Sequence, residues 1–169
     1  EAGCRRCQSV IVSSGQREKT QREETMPSDV ATRPRKTASR QKVAHARIAE
    51  PVLVKGRRDF FKYRDLGVAD ASAGAMRAQV MSSSQGMSRP TGWHYHECDG
   101  QFIYMIKGWV DLEFEDGRTI RVEEGDSLFI PGYLRHNEIR TADALEVLEV
   151  STPGVMGTKP CEAPAGFKG

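Results

Sequence analysis

Short runs in which apolar and polar residues alternate fill the chain from about residue 52 onward. In WVDLEF (109–114), Val110, Leu112 and Phe114 would share one face of an extended chain, and the residues between them would share the other. Five further short runs have a similar pattern of apolar and polar residues: MRAQVMS (76–82), QFIYMI (101–106), RTIRV (118–122), SLFI (127–130) and ALEVLEV (144–150). Alternation with period two predicts β-strands that bury one face.

The runs are separated by residues that favour turns. DG at 116–117 is a strong hairpin signal, and EEGD at 123–126 indicates a second turn. No apolar pattern of helical period extends over 10–12 residues after residue 52. Many short strands at regular spacing predict an all-β fold, a sandwich or barrel, over residues 52–152. The Gly- and Pro-rich segment 153–169 is expected to be a C-terminal loop.

Residues 1–51 have a different composition. Residues 1–50 hold 11 Lys and Arg against 6 Asp and Glu, with no Phe, Tyr or Trp, whereas residues 51–169 carry a net charge of −3. Such a segment buries too little apolar area to offset chain entropy, which predicts a basic and mostly disordered tail. Within it, 41–50 could form a short helix ending before Pro51. The sequence that begins at Met26 resembles the start of a protein. Residues 1–25 are therefore expected to be translated sequence from upstream of that start, or vector-derived sequence.

The net charge and the cysteine content of the chain indicate which partners and which cellular compartment to expect. The net charge of the whole chain is +2, which argues against nucleic acid as a partner, although the basic run 33–42 could bind polyanions weakly. No run approaches the roughly 18 apolar residues of a membrane span. Four cysteines in 169 residues do not make a dense disulfide framework, which favours a reducing, cytoplasmic setting.

Three of the four histidines fall in this strand-rich part of the chain. His94 and His96 are two residues apart, so on a strand they project from the same face. Side chains so placed can bind one ion at about 2.0–2.1 Å from each nitrogen. His136 follows the turn PGYLR, again at the edge of a strand. The alternative is that these are ordinary hydrogen-bonded or surface histidines.

Gln101 opens the apolar run that follows the turn ECDG (97–100). A hairpin at this turn would bring Gln101 back beside the histidine pair, on the face shared with Ile103 and Met105. Its side chain could ligate a metal through the carbonyl oxygen, or hydrogen-bond nearby without touching it. Cys98, within the turn, is expected to be a bystander, the alternatives being a soft fifth ligand or a reactive thiol.

These residues form a pattern that resembles the two motifs of the cupin superfamily, here the small single-domain type. His94-Tyr-His96, four residues, Gln101, six residues and Gly108 follow the first motif. Gly125, five residues, Pro131 and His136 follow the second. The resemblance covers roughly residues 60–152. It implies a double-stranded β-helix, or jelly-roll barrel, with the metal ligands His94, His96, Gln101 and His136 inside.

The sequence departs from the cupin pattern at four positions. Ser88 and Tyr133 stand where the motifs have Gly, and these two changes concern loop shape, whereas Arg140 stands where the second motif has Asn. Gln101 stands where the family has Glu, so a three-His, one-Gln site would leave the charge of the ion uncompensated and make it a stronger Lewis acid. One divalent ion per chain is expected, and the residues do not distinguish Fe, Zn, Ni or Mn.

The resemblance also implies a pocket beside the metal. Ile103 and Met105 would form part of its apolar wall, and Trp93 and Tyr133 would line its mouth or merely cover the barrel end. The function implied is that of a metal-dependent enzyme acting on a small organic substrate, either dioxygenase-like or a Lewis-acid isomerase or cyclase. The alternative is a non-enzymatic module that binds a small molecule. A homodimer is expected through the face that carries Phe102 and Tyr104.

Overall fold

The structure of the protein, a computed structural model, describes residues 41–55 and 60–167. These residues form eleven strands and one helix of four residues: β1 Val52–Lys55, β2 Lys62–Asp65, α1 Val68–Ala71, β3 Arg77–Ser83, β4 His94–Glu97, β5 Gly100–Lys107, β6 Trp109–Phe114, β7 Thr119–Glu123, β8 Ser127–Pro131, β9 His136–Thr141, β10 Leu145–Thr152 and β11 Gly157–Pro160. Within the described ranges, no helix has the length and apolar character that crossing a membrane requires.

The strands form two antiparallel sheets, which confirms the predicted all-β jelly-roll barrel. One sheet has six strands in the order β1-β2-β3-β10-β5-β8, and the other has five in the order β11-β4-β9-β6-β7. The hairpin predicted at DG 116–117 is confirmed, because β6 pairs with β7 and Gly117 takes the positive φ that this turn requires. Neighbouring strands come from distant parts of the sequence, as when β10 lies between β3 and β5.

The core lies between the inner faces of the two sheets. The five-stranded sheet contributes Val110, Leu112, Phe114 and Val122, so the face predicted from alternation in β6 is the buried one. The six-stranded sheet contributes the other buried members of this cluster: Ile103, Met105, Ile130, Leu145 and Val147. Because successive residues point to opposite faces of a strand, the apolar side chains of the two sheets meet in the core. Polar residues occupy the remaining positions on the inner faces.

Two local expectations at the chain ends were wrong. The segment after Thr152 contains strand β11, which pairs with β4 in register from Gly157 to Pro160. Gly157 and Pro160, at the two ends of β11, are residues that usually indicate a turn. An edge strand such as β11 tolerates both. Residues 41–47 form no helix, and the chain has a turn at 48–50. The N–H of Lys42 donates to the carbonyl of Ala71, so this segment lies against α1. Most of the predicted disordered tail, residues 1–40, lies outside the described residues.

Asp111 anchors the outer face of the five-stranded sheet. Its side chain is only 6% exposed and accepts two hydrogen bonds from the Arg121 guanidinium, at 2.7 and 2.9 Å. Arg140 donates a third at 3.0 Å, and the Arg121 guanidinium lies 4.0 Å from the centre of the Trp109 ring. The hydrogen bonds from Arg121 hold the pKa of the Asp111 carboxyl below its ordinary value, although partial burial opposes them.

Asp111→Asn is expected to lower the free energy of unfolding at pH 7 by about 2 kcal/mol, since it weakens charge-assisted bonds to a buried group. A carboxyl with a lowered pKa adds stability that is complete above its unfolded pKa of about 3.9 and is lost as the pH falls through the folded value. Urea denaturation should therefore show the two proteins converging below about pH 4. Asp116→Asn, at the exposed pair with Arg118, is the control and should change little. An unchanged gap at low pH would contradict this account.

Candidate metal centre

Strands β4 and β9 bring the three histidines together. His94 and His96 point to the same face of β4, and His136, the first residue of β9, pairs directly with His94. The three side chains are almost completely buried, with exposures of 3%, 4% and 1% in chain order. The centroids of their rings lie 4.5–5.2 Å apart. Residues 40 positions apart in sequence therefore form one imidazole cluster.

The turn between β8 and β9 fixes where His136 begins its strand. A Cβ atom at Gly132 would lie 1.6 Å from the carbonyl oxygen of Cys98, so only glycine allows this turn to contact the end of β4. The N–H of Tyr133 then donates to the carbonyl of His96 at 2.9 Å. Tyr133 itself has a φ of 64°, the left-handed conformation that the motif glycine would adopt without strain. The turn thereby ties His96 to the start of β9.

Each imidazole is oriented through its Nδ1 atom. His94 Nδ1 donates to the carbonyl of Gly92 at 2.8 Å, and His136 Nδ1 donates to the carbonyl of Leu134 at 2.9 Å. His96 Nδ1 lies 3.0 Å from the hydroxyl oxygen of Thr158, on β11. Because a carbonyl oxygen only accepts, Nδ1 of His94 and of His136 carries a proton, and the neutral form of each ring then presents Nε2 with its lone pair. Metal-binding histidines are commonly oriented in this way.

The ring nitrogens converge closely enough to share one ion. One nitrogen from each of the three histidines lies within 4.8 Å of the others. Nitrogens that bind one ion at about 2.0–2.1 Å lie about 3.0–3.4 Å apart in octahedral or tetrahedral geometry, so the rings need to draw together by at most about 2 Å. The buried Nε2 of His94 makes no hydrogen bond to any residue within 41–55 or 60–167. A bound cation would satisfy this otherwise costly atom, so the residues fit a divalent metal.

Gln101 lies on the opposite sheet from the three histidines. The predicted hairpin at 97–100 was wrong, because β4 belongs to the five-stranded sheet and β5 to the six-stranded one. The chain crosses between sheets at ECDG, the kind of corner that closes a jelly roll. Gln101 is nevertheless buried, and it lines the same cavity as His96. The alternation that places Gln101 and Ile103 on one face of β5 also points that face inward.

A cavity of about 640 Å³ opens beside the cluster, between the two sheets. Apolar side chains from both sheets form much of its wall, and these include Ile103, Leu112, Ile130 and Val147. Polar side chains lie among them, and these include Arg77, Gln79, Thr91, His96, Gln101, Glu138, Glu149 and Thr158. Its size and mixed lining are those of a site for a small organic molecule.

Comparison with protein families identifies this architecture. The family model described as "Cupin domain" matches residues 84–151, a span that contains the three clustered histidines and Gln101. Residues 84–151 form a cupin domain. Two residues of the first motif, His96 and Gln101, line the cavity of this domain.

A curated protein matches part of this chain. It is a 3-hydroxyanthranilate 3,4-dioxygenase of Meyerozyma guilliermondii, 33% identical over 78 residues. The alignment covers 44% of this chain and 46% of the dioxygenase, so the chain spans about half the length of the curated relative that it matches.

Solved structures share the cupin fold at low sequence identity. KdgF from Halomonas sp. is 18% identical with a TM-score of 0.56, and the match covers 68% of this chain and 96% of that one. The polyketide cyclase RemF from Streptomyces resistomycificus is 20% identical with a TM-score of 0.57, covering 73% and 89%. The Fe(II) form of HppE is 18% identical with a TM-score of 0.52, covering 64% and 60%. At such identities these likenesses establish the fold alone.

The four side chains predicted to form the cupin pocket are dispersed in the structure. Ile103 lines the cavity, but Met105 is completely buried in the core cluster. Trp93 is buried against Phe167, with ring centroids 4.8 Å apart, so it covers the barrel end. Tyr133 is exposed and packs loosely against Tyr95. The described cavity is therefore lined by strand residues more than by the turns around the histidines.

Cys98 has the environment of an unreactive thiol. It is buried and forms no disulfide, and burial raises the pKa of its thiol. A raised pKa reduces the thiolate fraction at neutral pH, which is the nucleophilic and metal-binding form. The expectation that Cys98 is a bystander agrees with this environment.

The cavity residues that were missed in the sequence include Gln79, Glu138 and Glu149. Gln79 Nε2 donates to a carboxylate oxygen of Glu149 at 2.6 Å, across β3 and β10. Glu149 follows Leu145 and Val147 at intervals of two in ALEVLEV, so the alternation rule could have placed it on their face. Glu138 lies two residues after His136, and the same rule could have found it.

Proposed function

We propose that this cupin is a metal-dependent enzyme that acts on a small organic molecule. The observation that carries the proposal is the buried cluster of His94, His96 and His136, whose ring nitrogens converge beside a cavity of about 640 Å³. One divalent ion, Fe, Zn, Ni or Mn, would be held by these imidazoles, with Gln101 as a further oxygen ligand. A bound ion would supply Lewis acidity or, if it is iron, chemistry with O2.

The chain itself would bind and orient the substrate. The apolar wall around Ile103, Leu112 and Val147 excludes water from the side of the cavity formed by the two sheets. Polar side chains such as Arg77 and Thr158 stand on the same wall and can fix the orientation of a bound molecule. Hydrogen bonds at Nδ1 keep the three imidazoles in place while substrate enters, because the rings need no reorientation.

Two reaction classes remain candidates, and each has its own support. The likeness to a 3-hydroxyanthranilate 3,4-dioxygenase supports oxygenase chemistry on an aromatic substrate. Gln101, neutral where cupins commonly have Glu, supports Lewis-acid chemistry of the isomerase or cyclase type. The substrate would lie against the open side of the ion in both classes.

Metal reconstitution under two atmospheres tests the proposal. The apo protein would be loaded separately with Fe(II), Zn, Ni and Mn and assayed with 3-hydroxyanthranilate and a panel of small aromatic and sugar acids. O2 uptake only with iron would support the oxygenase, and turnover under argon with Zn or Ni would support the Lewis acid. Tight binding of a small molecule without turnover by any metal form would contradict both and favour a non-enzymatic binding module.

We also propose a homodimer formed through the outer face of the six-stranded sheet. Phe102, Tyr104 and Ile106 on β5 and Phe129 on the edge strand β8 are exposed there, and Phe102 pairs directly with Phe129. Exposed apolar side chains clustered in this way favour association with a second copy.

Phe102→Lys is accordingly expected to convert the protein from a dimer to a monomer, because it places a charge at the centre of the apolar face. Val155→Lys, at an isolated exposed side chain, is the control and should leave the dimer intact. Light scattering coupled to gel filtration gives the mass. A wild-type protein with the mass of one chain would refute the dimer.

A cytoplasmic location is proposed as well. Cys98 and Cys161 are free thiols, and the low cysteine content of the chain supports a reducing compartment. Fractionation of cells that make the natural protein would test this, and recovery from a secreted or oxidising compartment would contradict it.

A further inference from the structure

Glu138 shares the inner face of β9 with His136. Side chains two residues apart on a strand point the same way, and across the sheet Glu138 pairs with Leu112, one of the core residues. The pairing of β6 with β9 shifts register between Asp111 and Leu112, which sends Arg140 to the outer face, where it binds Asp111. The irregularity leaves Glu138 directed into the cavity, whose lining includes it.

The carboxylate of Glu138 lies within reach of an ion bound by the histidines. Its Oε2 atom is 3.7 Å from Nε2 of His94, and its side chain is only 24% exposed. An ion about 2.0–2.1 Å from an imidazole nitrogen and about 2.0–2.2 Å from a carboxylate oxygen can join atoms as far apart as about 4.2 Å. The observed separation is within this limit, so one ion can reach both atoms.

Thr91 holds this carboxylate in position. Its hydroxyl donates to Oε2 of Glu138 and accepts a hydrogen bond from the Glu138 N–H at 3.1 Å. The N–H of Thr91 donates to the Glu138 carbonyl at 2.9 Å, and the N–H of Gly92 donates to the side chain of Asn137 at 3.0 Å. The loop before β4 is therefore fastened to β9 beside the histidines. A hydroxyl that orients a carboxylate toward a metal is a recurrent partner of such ligands.

Charge gives Glu138 a role that the histidines and Gln101 cannot fill. Three neutral imidazoles and an amide leave both charges of a divalent ion uncompensated, whereas one carboxylate offsets half of them. We propose that Glu138 is a ligand of the ion and supplies the negative charge that the cupin motif ordinarily places at the position of Gln101. The proposal rests on the metal site proposed above, and it makes the ligand set three imidazoles, one amide oxygen and one carboxylate.

The test compares metal affinity in two variants that each remove one negative charge from the cavity. Glu138→Gln should weaken Co(II) and Zn(II) binding by about 10- to 100-fold in competition with a chromophoric chelator. Glu149→Gln, on the other sheet with its carboxylate bonded to Gln79, should change affinity by less than about threefold, since its charge is not directed at the ion. The visible absorption bands of bound Co(II), which report the ligand set, should change in Glu138→Gln alone.

Each outcome decides between the two claims. Equal affinities and identical Co(II) spectra in the two variants would overturn the role of Glu138 while leaving the histidine site intact. A wild-type protein that binds no ion would overturn the proposed metal site itself. Should Glu138→Gln fail to fold by circular dichroism, Thr91→Val provides the second variant. It leaves the carboxylate in place without its hydroxyl donor and should weaken binding by up to about tenfold. Wild-type affinity in Thr91→Val would then count against the proposal.

Discussion

His94→Ala is expected to reduce bound divalent metal from one equivalent per chain to a small fraction of that, with the fold retained. The variant removes one of three converging nitrogens, and two imidazoles hold a divalent ion far less tightly than three. Loss of an orienting partner alone typically costs 10- to 100-fold in affinity, so loss of a ligand should cost more than about 100-fold. Elemental analysis after dialysis against trace chelator measures the effect.

The fourth histidine supplies the matched control. His45 is exposed and lies outside the cluster, so His45→Ala removes an imidazole without touching the site and should retain the full equivalent of metal. Circular dichroism and the cooperativity of thermal unfolding would establish that His94→Ala remains folded. Full metal occupancy in a folded His94→Ala protein would contradict the assignment of this residue as a ligand.

Gly132→Ala is expected to be the most destabilising glycine-to-alanine change among the glycines between residues 67 and 166. Its Cβ would lie 1.6 Å from the carbonyl oxygen of Cys98, and a backbone atom cannot move aside as a flexible side chain can. Either the turn before β9 or the end of β4 must shift. The expected decrease in the free energy of unfolding is about 3 kcal/mol or more, measured by urea denaturation.

Gly125→Ala separates this clash from the general cost of replacing glycine. Gly125 has a φ of 90°, but nothing lies within 4 Å of the added methyl group. It should therefore cost only the strain of a left-handed conformation, about 1–2 kcal/mol. Because Gly132 connects His96 to the start of β9, Gly132→Ala should also weaken metal binding, whereas Gly125→Ala should not. Equal losses of stability in the two variants would show that the close approach is unimportant.

Period-two alternation predicted most of the barrel because it reflects the geometry of a strand with one buried face. β6 shows this directly, since Val110, Leu112 and Phe114, which alternation placed on one face, are all in the core. The same rule predicted that His94 and His96 share one face of a strand, and both are buried on β4. Turn residues also predicted the structure correctly where it depends only on neighbouring residues, as at the DG turn between β6 and β7.

Features that depend on how strands pair within and across the two sheets could not be predicted from the sequence. A turn at ECDG fits a hairpin as well as a crossing between sheets, and only the pairing of β5 with β8 and β10 distinguishes the two. β11 was missed because its sequence, GTKP, has no alternation, and it exists through pairing with β4. Alternation from His136 could have placed Glu138 on the inner face of β9. Its distance from His94, however, depends on the register shift between β6 and β9.

Anomalous X-ray diffraction from crystals of the metal-loaded protein tests the central claim most directly. With data collected at the absorption edge of the bound metal, we expect one anomalous peak per chain, about 2.0–2.2 Å from a ring nitrogen of His94, His96 and His136. A peak bound elsewhere on the chain, with these three rings unligated or pointing apart, would contradict the account.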